Sequence, residues 1–216
     1  MFRTYRIMED GEARDLGMRL AASEWSEGKA RAVTGTIKRN SEIVCDLSDE
    51  ICRRIQDLVA GQQNLVNDTL LCATTLPKFN RYRSGDEYAR HFDAAHMGHV
   101  RTDYAFTMAL SEDYEGGRLT VQSRDGLVVQ APRIPIGWCL AYPCGGAHWV
   151  TPVTKGERIS AIWWGESVIA DRERRALAVE MGSVLAACEA TGSIEPYGHG
   201  FTTLTGIHAE LLRMWS

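Results

Sequence analysis

No run of about 20 apolar residues occurs anywhere in the 216-residue chain, so a membrane-spanning helix is not expected. The opening Met1-Phe2-Arg3-Thr4-Tyr5-Arg6 has no apolar core of the signal-peptide kind, which predicts a cytoplasmic protein. A basic stripe is lacking too. The 24 Lys and Arg are interspersed with 28 Asp and Glu for a formal net charge of −4, so nothing marks a nucleic-acid face. The six cysteines, at 45, 52, 72, 139, 144 and 188, form no Cys-x-x-Cys and no zinc spacing, and read as reduced, mostly buried thiols. There are no internal repeats, low-complexity tracts or Pro- and Ser-rich linkers to divide the chain. One domain is therefore expected, and 44% hydrophobic content at this length is enough for a sizeable core.

What is present is a change of period along the chain. Asp10 to Ser23 carries Ala13, Leu16, Leu20 and Ala21 among charges, a loose helical pattern with Asp10 as cap, and Trp25-Ser26-Glu27-Gly28 ends it. Residues 32–40 look extended, and Asp46-Leu47-Ser48-Asp49-Glu50 opens a second helix that runs to Gly61. From Leu70 the pattern becomes eight short β-rich runs, 70–82, 88–93, 101–110, 118–122, 126–131, 136–142, 148–153 and 158–164. That spacing predicts an all-β sandwich or jelly roll with flanking helices. Helical periodicity returns over 172–190 and 203–215, with a Gly-rich loop predicted over 191–200. The organisation expected is helical support over 1–69, a β core over 70–165 and a C-terminal helical segment over 166–216.

Within the β region, His91 and Asp93 stand two apart, so on a strand both side chains leave one face. A third ligand is available in Cys144-Gly145-Gly146-Ala147-His148, where a Gly-rich turn can bring His148 close to the first pair. Two imidazoles and one carboxylate leave the remaining positions of a metal open, the facial set suited to non-haem Fe(II) and oxygen chemistry. Arg158, ten residues past His148, has matching parity on an extended strand and points into the same cavity, where a guanidinium can hold a carboxylate in two-pronged fashion. By itself a His-x-Asp pair is more often a surface imidazole beside a carboxylate. The later His and Arg tip the reading toward a metal.

At these residues the chain resembles the Fe(II)- and 2-oxoglutarate-dependent dioxygenases, and more closely the PKHD-type hydroxylases, bacterial relatives of the prolyl hydroxylases. The resemblance extends to Phe79-Asn80-Arg81-Tyr82, to Leu110 through Gly117, to His148 through Gly156, and to the end from Leu204 to Trp215, so that it covers nearly the whole chain. It implies a double-stranded β-helix (jelly roll) with iron on His91, Asp93 and His148. It also implies 2-oxoglutarate on Arg158, with ascorbate as an accessory reductant. Hydroxylation of an unactivated C–H bond in a protein, peptide or small-molecule substrate would then consume O2 and release succinate and CO2. The presence of Asp93 argues for hydroxylation, since related halogenases lack that carboxylate.

Other candidates divide between chemistry and packing. In relatives a tyrosine at the place of Tyr82 contacts 2-oxoglutarate, and a phenol offers one donor without competing for the metal; an ordinary core tyrosine is the alternative. Thr107 either lines the same pocket or fills space. His96 and His99 follow the first ligand pair, but extra protein ligands would close the coordination sphere. They are expected at the mouth, touching substrate, with Trp149 narrowing it. Trp149 departs from the polar residue that the family commonly has there. Glu115-Gly116-Gly117 is read as a tight turn. A metal-binding sensor or scaffold on the same fold would need a missing catalytic residue, and a cupin-like enzyme would leave Arg158 without a role. The sequence does not indicate an oligomeric state.

Overall fold

A computed structural model describes residues 2–27, 38–43, 48–123, 125–195 and 198–216. Among them the strands are β1 (Arg3–Arg6), β2 (Ser26–Glu27), β3 (Lys38–Arg39), β4 (Ser41–Ile43), β5 (Leu71–Thr74), β6 (Lys78–Tyr82), β7 (Glu87–His91), β8 (His96–Met97) and β9 (Val100–Arg101). They continue with β10 (Tyr104–Ala109), β11 (Tyr114–Gly116), β12 (Leu119–Gln122), β13 (Val128–Gln130), β14 (Trp138–Pro143), β15 (Ala147–Val150), β16 (Val153–Gly156) and β17 (Arg158–Ser167). The helices are α1 (Asp10–Ala21), α2 (Ser48–Gly61), α3 (Gln63–Thr69), α4 (Arg172–Thr191) and α5 (His199–Trp215).

All strand pairs among the described residues are antiparallel, in a larger sheet ordered β1-β14-β10-β17-β6-β4-β2, with β5 also on β17, a smaller one ordered β13-β12-β15-β7-β3, and the two-stranded pairs β11-β16 and β8-β9. This is the expected jelly roll. Alternation along each strand decides what its two faces bury. Ala105, Leu140, Tyr142 and Trp164 of the larger sheet meet Leu119 and Val121 of the smaller one in the space between the sheets. Their neighbours Phe106, Met108, Cys139, Ala141, Ala161 and Trp163 leave the opposite face and pack with Ala13, Leu16, Ile55 and Val59 of α1 and α2. The Phe106 and Trp163 rings stack there at 5.4 Å. Each of the larger apolar side chains among them contributes about 1.5–3 kcal/mol by leaving water, which anchors the helices and stiffens the sheet that carries β17. Gly17 permits this contact, because a Cβ on it would lie 2.1 Å from the Leu110 carbonyl oxygen.

The boundaries differ from the sequence reading where a local breaker intervenes. The run 70–82 splits at Leu76-Pro77 into β5 and β6, and 148–153 gives way to two strands. Asp10 is the first residue of α1, not its cap, since Glu9 occupies that position without a side-chain bond. The loop expected over 191–200 is present in its described part, 192–195 and 198, with Thr191 closing α4 and His199 opening α5. Most of the extended run expected over 32–40 lies outside the described residues, apart from β3 at its end, and so does Cys45. Cys72, Cys139, Cys144 and Cys188 form no disulfide. Among the described residues no helix is long and apolar enough to cross a membrane.

Candidate active site

The smaller sheet presents the ligands. His91 ends β7 and His148 lies directly across from it on β15, in register, with their ring centroids 4.1 Å apart. Asp93 is not on that strand. β7 stops at His91, Phe92 turns outward, and the Asp93 carboxylate folds back to place Oδ2 3.7 Å from His148 Nε2. One donor atom from each of His91, Asp93 and His148 lies within 4.8 Å of the others, and this is the only such cluster of His, Cys, Asp and Glu among the described residues.

The histidines are held in a usable state. His91 Nδ1 is 2.9 Å from the Ala89 carbonyl and His148 Nδ1 is 3.3 Å from the Gly146 carbonyl. With Nδ1 donating in each, both Nε2 lone pairs face the cluster, the tautomer that a metal requires. Tyr88 stacks on the His91 ring at 3.6 Å and Tyr142 meets His148 edge-on at 5.7 Å, fixing both ring planes. The Cys144 thiol donates to Asp93 Oδ2 at 3.6 Å. Burial, and then the Asp93 charge, push that thiol well above its ordinary pKa, so it stays a neutral donor. Two imidazoles and a buried carboxylate fit a divalent iron better than a zinc site of thiolates.

Arg158 reaches the same interior by another route than the sequence suggests. His148 and Arg158 do not share a strand: β16 intervenes, and Arg158 begins β17 on the larger sheet. The reversal needs Gly156, whose φ of +73° and 2.2 Å virtual Cβ distance to the Asp113 carbonyl exclude a side chain. Arg158 is only 8% exposed, donates from Nη1 to Ser160 Oγ at 3.1 Å, and lies 5.4 Å from the centroid of the Tyr82 ring. Among the described residues it has no carboxylate within 4 Å. Beside it opens a cavity of about 40 Å3, lined by Thr107, Ser160, Arg118, Tyr114 and Arg133 among others.

Several expected residues therefore converge and others do not. Tyr82 is the register partner of Arg158 and is buried, and Thr107 lines the cavity. His96 and His99 are exposed on the β8–β9 hairpin, turned by Gly98 at φ +63°, outside the ligand cluster. Trp149 alternates with the inward-facing His148 and Val150 and so leaves the opposite face of the smaller sheet; it does not narrow the space over the ligands. Gly117 has a further use beyond the turn. A Cβ there would come within 3.0 Å of Arg158 Cδ, so the glycine makes room for the guanidinium. Arg118, Arg133 and Tyr114 were not anticipated, because only the cavity itself reveals them.

The fold and this donor set define an iron-dependent oxygenase, and comparison agrees: the 2OG-Fe(II) oxygenase superfamily model matches residues 77–166. Within it the chain belongs to the PKHD-type hydroxylases. It is 33% identical to one from Acidovorax ebreus over 98% of this chain and 96% of that protein, and 33% identical to one from Shewanella oneidensis over 97% and 96%. In fold it is similar to a prolyl hydroxylase from Trichoplax adhaerens solved with a hypoxia-inducible-factor peptide. The TM-score there is 0.60, at 16% identity, over 82% of this chain and 86% of that one. A Pseudomonas putida prolyl-4-hydroxylase is similar with a TM-score of 0.53, at 19% identity, over 77% and 92%. The protein is thus a 2-oxoglutarate-dependent dioxygenase, with Fe(II) and 2-oxoglutarate as its family's cofactor and cosubstrate.

Proposed function

We propose that His91, Asp93 and His148 hold the Fe(II), that Arg158 binds the far carboxylate of 2-oxoglutarate, and that the enzyme hydroxylates an unactivated C–H bond of a protein, peptide or amino-acid-like substrate. Iron and 2-oxoglutarate bound there supply O2 activation, with succinate and CO2 as co-products. The observation that carries this reading is a buried Arg158 with no carboxylate within 4 Å among the described residues, near enough to the three-ligand cluster that its charge and that of Asp93 both act on the Tyr142 phenol. A guanidinium in so dry a place attracts a dianion strongly and offers it two parallel donors. Ser160 and Tyr82 orient it, and Thr107 adds a hydroxyl at the cavity wall. Tyr88, Tyr142 and the Nδ1 contacts keep both imidazoles aimed, as ligands to a bound Fe(II) would need to be.

His96 and His99 on their hairpin form the rim over which substrate arrives, since loops on a rigid sheet usually carry specificity. The chain acts as a single dioxygenase domain, in the cytoplasm, with ascorbate as accessory reductant. The free thiols support a reducing compartment, and the family resemblance supports the reductant. The test is to incubate the protein with Fe(II), 2-oxoglutarate and a cell extract and to seek, by mass spectrometry, products heavier by one oxygen atom. Succinate should form in step with them. Succinate without any oxygenated product in protein, peptide and small-molecule fractions alike would refute the hydroxylase reading.

A further inference from the structure

Helix α5 is the anomaly of the fold. Its 17 residues include Phe201, Leu204, Ile207, Leu211, Leu212, Met214 and Trp215, yet not one of them is buried. It also contains Gly200, Gly206 and three threonines, residues with weak intrinsic helix propensity. A helix of that make-up is marginal on its own and needs an apolar face covered.

It packs antiparallel on α4. His208 Nε2 donates to the Ala178 carbonyl at 3.0 Å, its ring lies against Gly182, and Arg174 lies over Trp215. The side of α4 toward the sheets carries Arg175 and Val179, both buried, with Arg175 bonded to Asp103 at 2.8 Å. At about 100° per residue, Leu177, Met181, Val184 and Cys188 form a stripe roughly a quarter turn from the α5 contact and opposite the sheet side. On α5, Leu204, Ile207, Leu211 and Met214 lie roughly a quarter turn from the His208–Trp215 line. Because the two helices run in opposite directions, both stripes come out on the same, outermost side of the hairpin.

That side is open to solvent: Leu177 is 54% exposed, Val184 56%, Ile207 47% and Met214 70%. The spacings, 4-3-4 along α4 and 3-4-3 along α5, are those of bundle seams, where each stripe meets further helices rather than a peptide or a flat surface. We propose that this face is a homodimer interface, in which the α4–α5 hairpin packs against the same hairpin of a second copy to make a four-helix bundle.

A second copy is favoured because the face is self-complementary in kind, two antiparallel helices with seam spacing, as an isologous two-fold contact requires. The area suffices as well. At 1.5 Å rise per residue and about 10 Å width per helix, the hairpin offers roughly 30 by 20 Å, so two copies bury on the order of 1,200 Å2. That reaches the lower end of stable interfaces, at about 1,000–1,200 Å2. The hairpin is joined to the jelly roll through Arg175 and Asp103 on its other side, so the stripes face away from the sheets.

The test is sedimentation or light scattering of the full 216-residue chain across a dilution series, against a Val184→Glu, Ile207→Glu double variant. Wild type should run at twice 24.0 kDa at tens of micromolar. The variant should run at the monomer mass, with succinate formation per chain unchanged. Should that pair fail to fold, Met214→Glu alone, at the most exposed position, should weaken dimerisation at least tenfold. A monomeric wild type at that concentration overturns the proposal, whether or not it binds anionic lipid vesicles. So does a folded double variant that still dimerises.

Discussion

Replacing Arg158 by Met should make the protein more stable and useless at the same time. The guanidinium is 8% exposed with no carboxylate beside it among the described residues, so the fold bears a desolvation penalty of several kcal/mol for a charge that nothing internal neutralises. Against this stand the bond to Ser160 Oγ and the contact with the Tyr82 ring, each worth about 1 kcal/mol. A methionine, shorter and uncharged, removes the penalty along with both contacts, for a net gain of about 1–3 kcal/mol. In a chain of this size that raises the melting temperature by about 2–10 °C. The ligand effect runs the other way. At 2-oxoglutarate one hundred times its dissociation constant, wild type should gain about 2.7 kcal/mol, and Arg158→Met should gain nothing. Anaerobic thermal melts with Mn(II) in place of iron, with and without 2-oxoglutarate, read both quantities. A variant less stable than wild type without ligand would make Arg158 a structural residue, and a variant still stabilised by 2-oxoglutarate would place the cosubstrate elsewhere.

Asp103 is the reverse case. It is buried and holds Arg175 at 2.8 Å, Arg101 at 2.8 Å and the Ser167 N–H at 2.9 Å, so Asp103→Ala strands a buried Arg175 and should cost about 3–5 kcal/mol by urea unfolding. Gly117→Ala puts a Cβ at φ +59° against Arg158 Cδ; it should cost about 1–2 kcal/mol and raise the Michaelis constant for 2-oxoglutarate while Fe(II) affinity holds. Burial raises the pKa of both Cys144 and Cys72, so exposure decides their reactivity: alkylation by iodoacetamide at pH 8, followed by mass spectrometry, should label exposed Cys72 before the half-buried Cys144, and the reverse order would contradict that placement.

Much of this was legible before any coordinates. Helices α1 and α2 showed in the spacing of Leu16 and Leu20 and of Ile55 and Val59, because one apolar stripe per helix is what a sheet can cover. The β core showed as short β-rich runs between Gly and Pro. What stayed hidden depends on pairing rather than on local pattern. β1 reads as a polar tetrapeptide and is a strand only because it pairs with β14, while α3 ends on Leu70 at φ +49°, a conformation a sequence does not announce in a leucine. The four residues singled out in the sequence, His91, Asp93, His148 and Arg158, do come to lie in the interior, the first three as one cluster, but the reason offered for Arg158 was wrong. Parity along one strand does not bring Arg158 to the cavity; it arrives from the facing sheet, through the reversal at Gly156. Trp149 failed for the complementary reason, since next to an inward His148 it must face out. The two C-terminal helices were foreseen, but their pairing as a hairpin and its uncovered outer face appear only when both stripes are placed on one side.

The central claim is that one cluster carries the chemistry, and the most direct measurement is succinate formed from 2-oxoglutarate under air, in wild type and in His148→Ala, each with Fe(II) and with iron chelated. Each ligand is one of only three from the protein, so wild type should turn over only with Fe(II), and His148→Ala should fall to the no-iron baseline while remaining folded by circular dichroism. Undiminished succinate formation by His148→Ala would contradict the account.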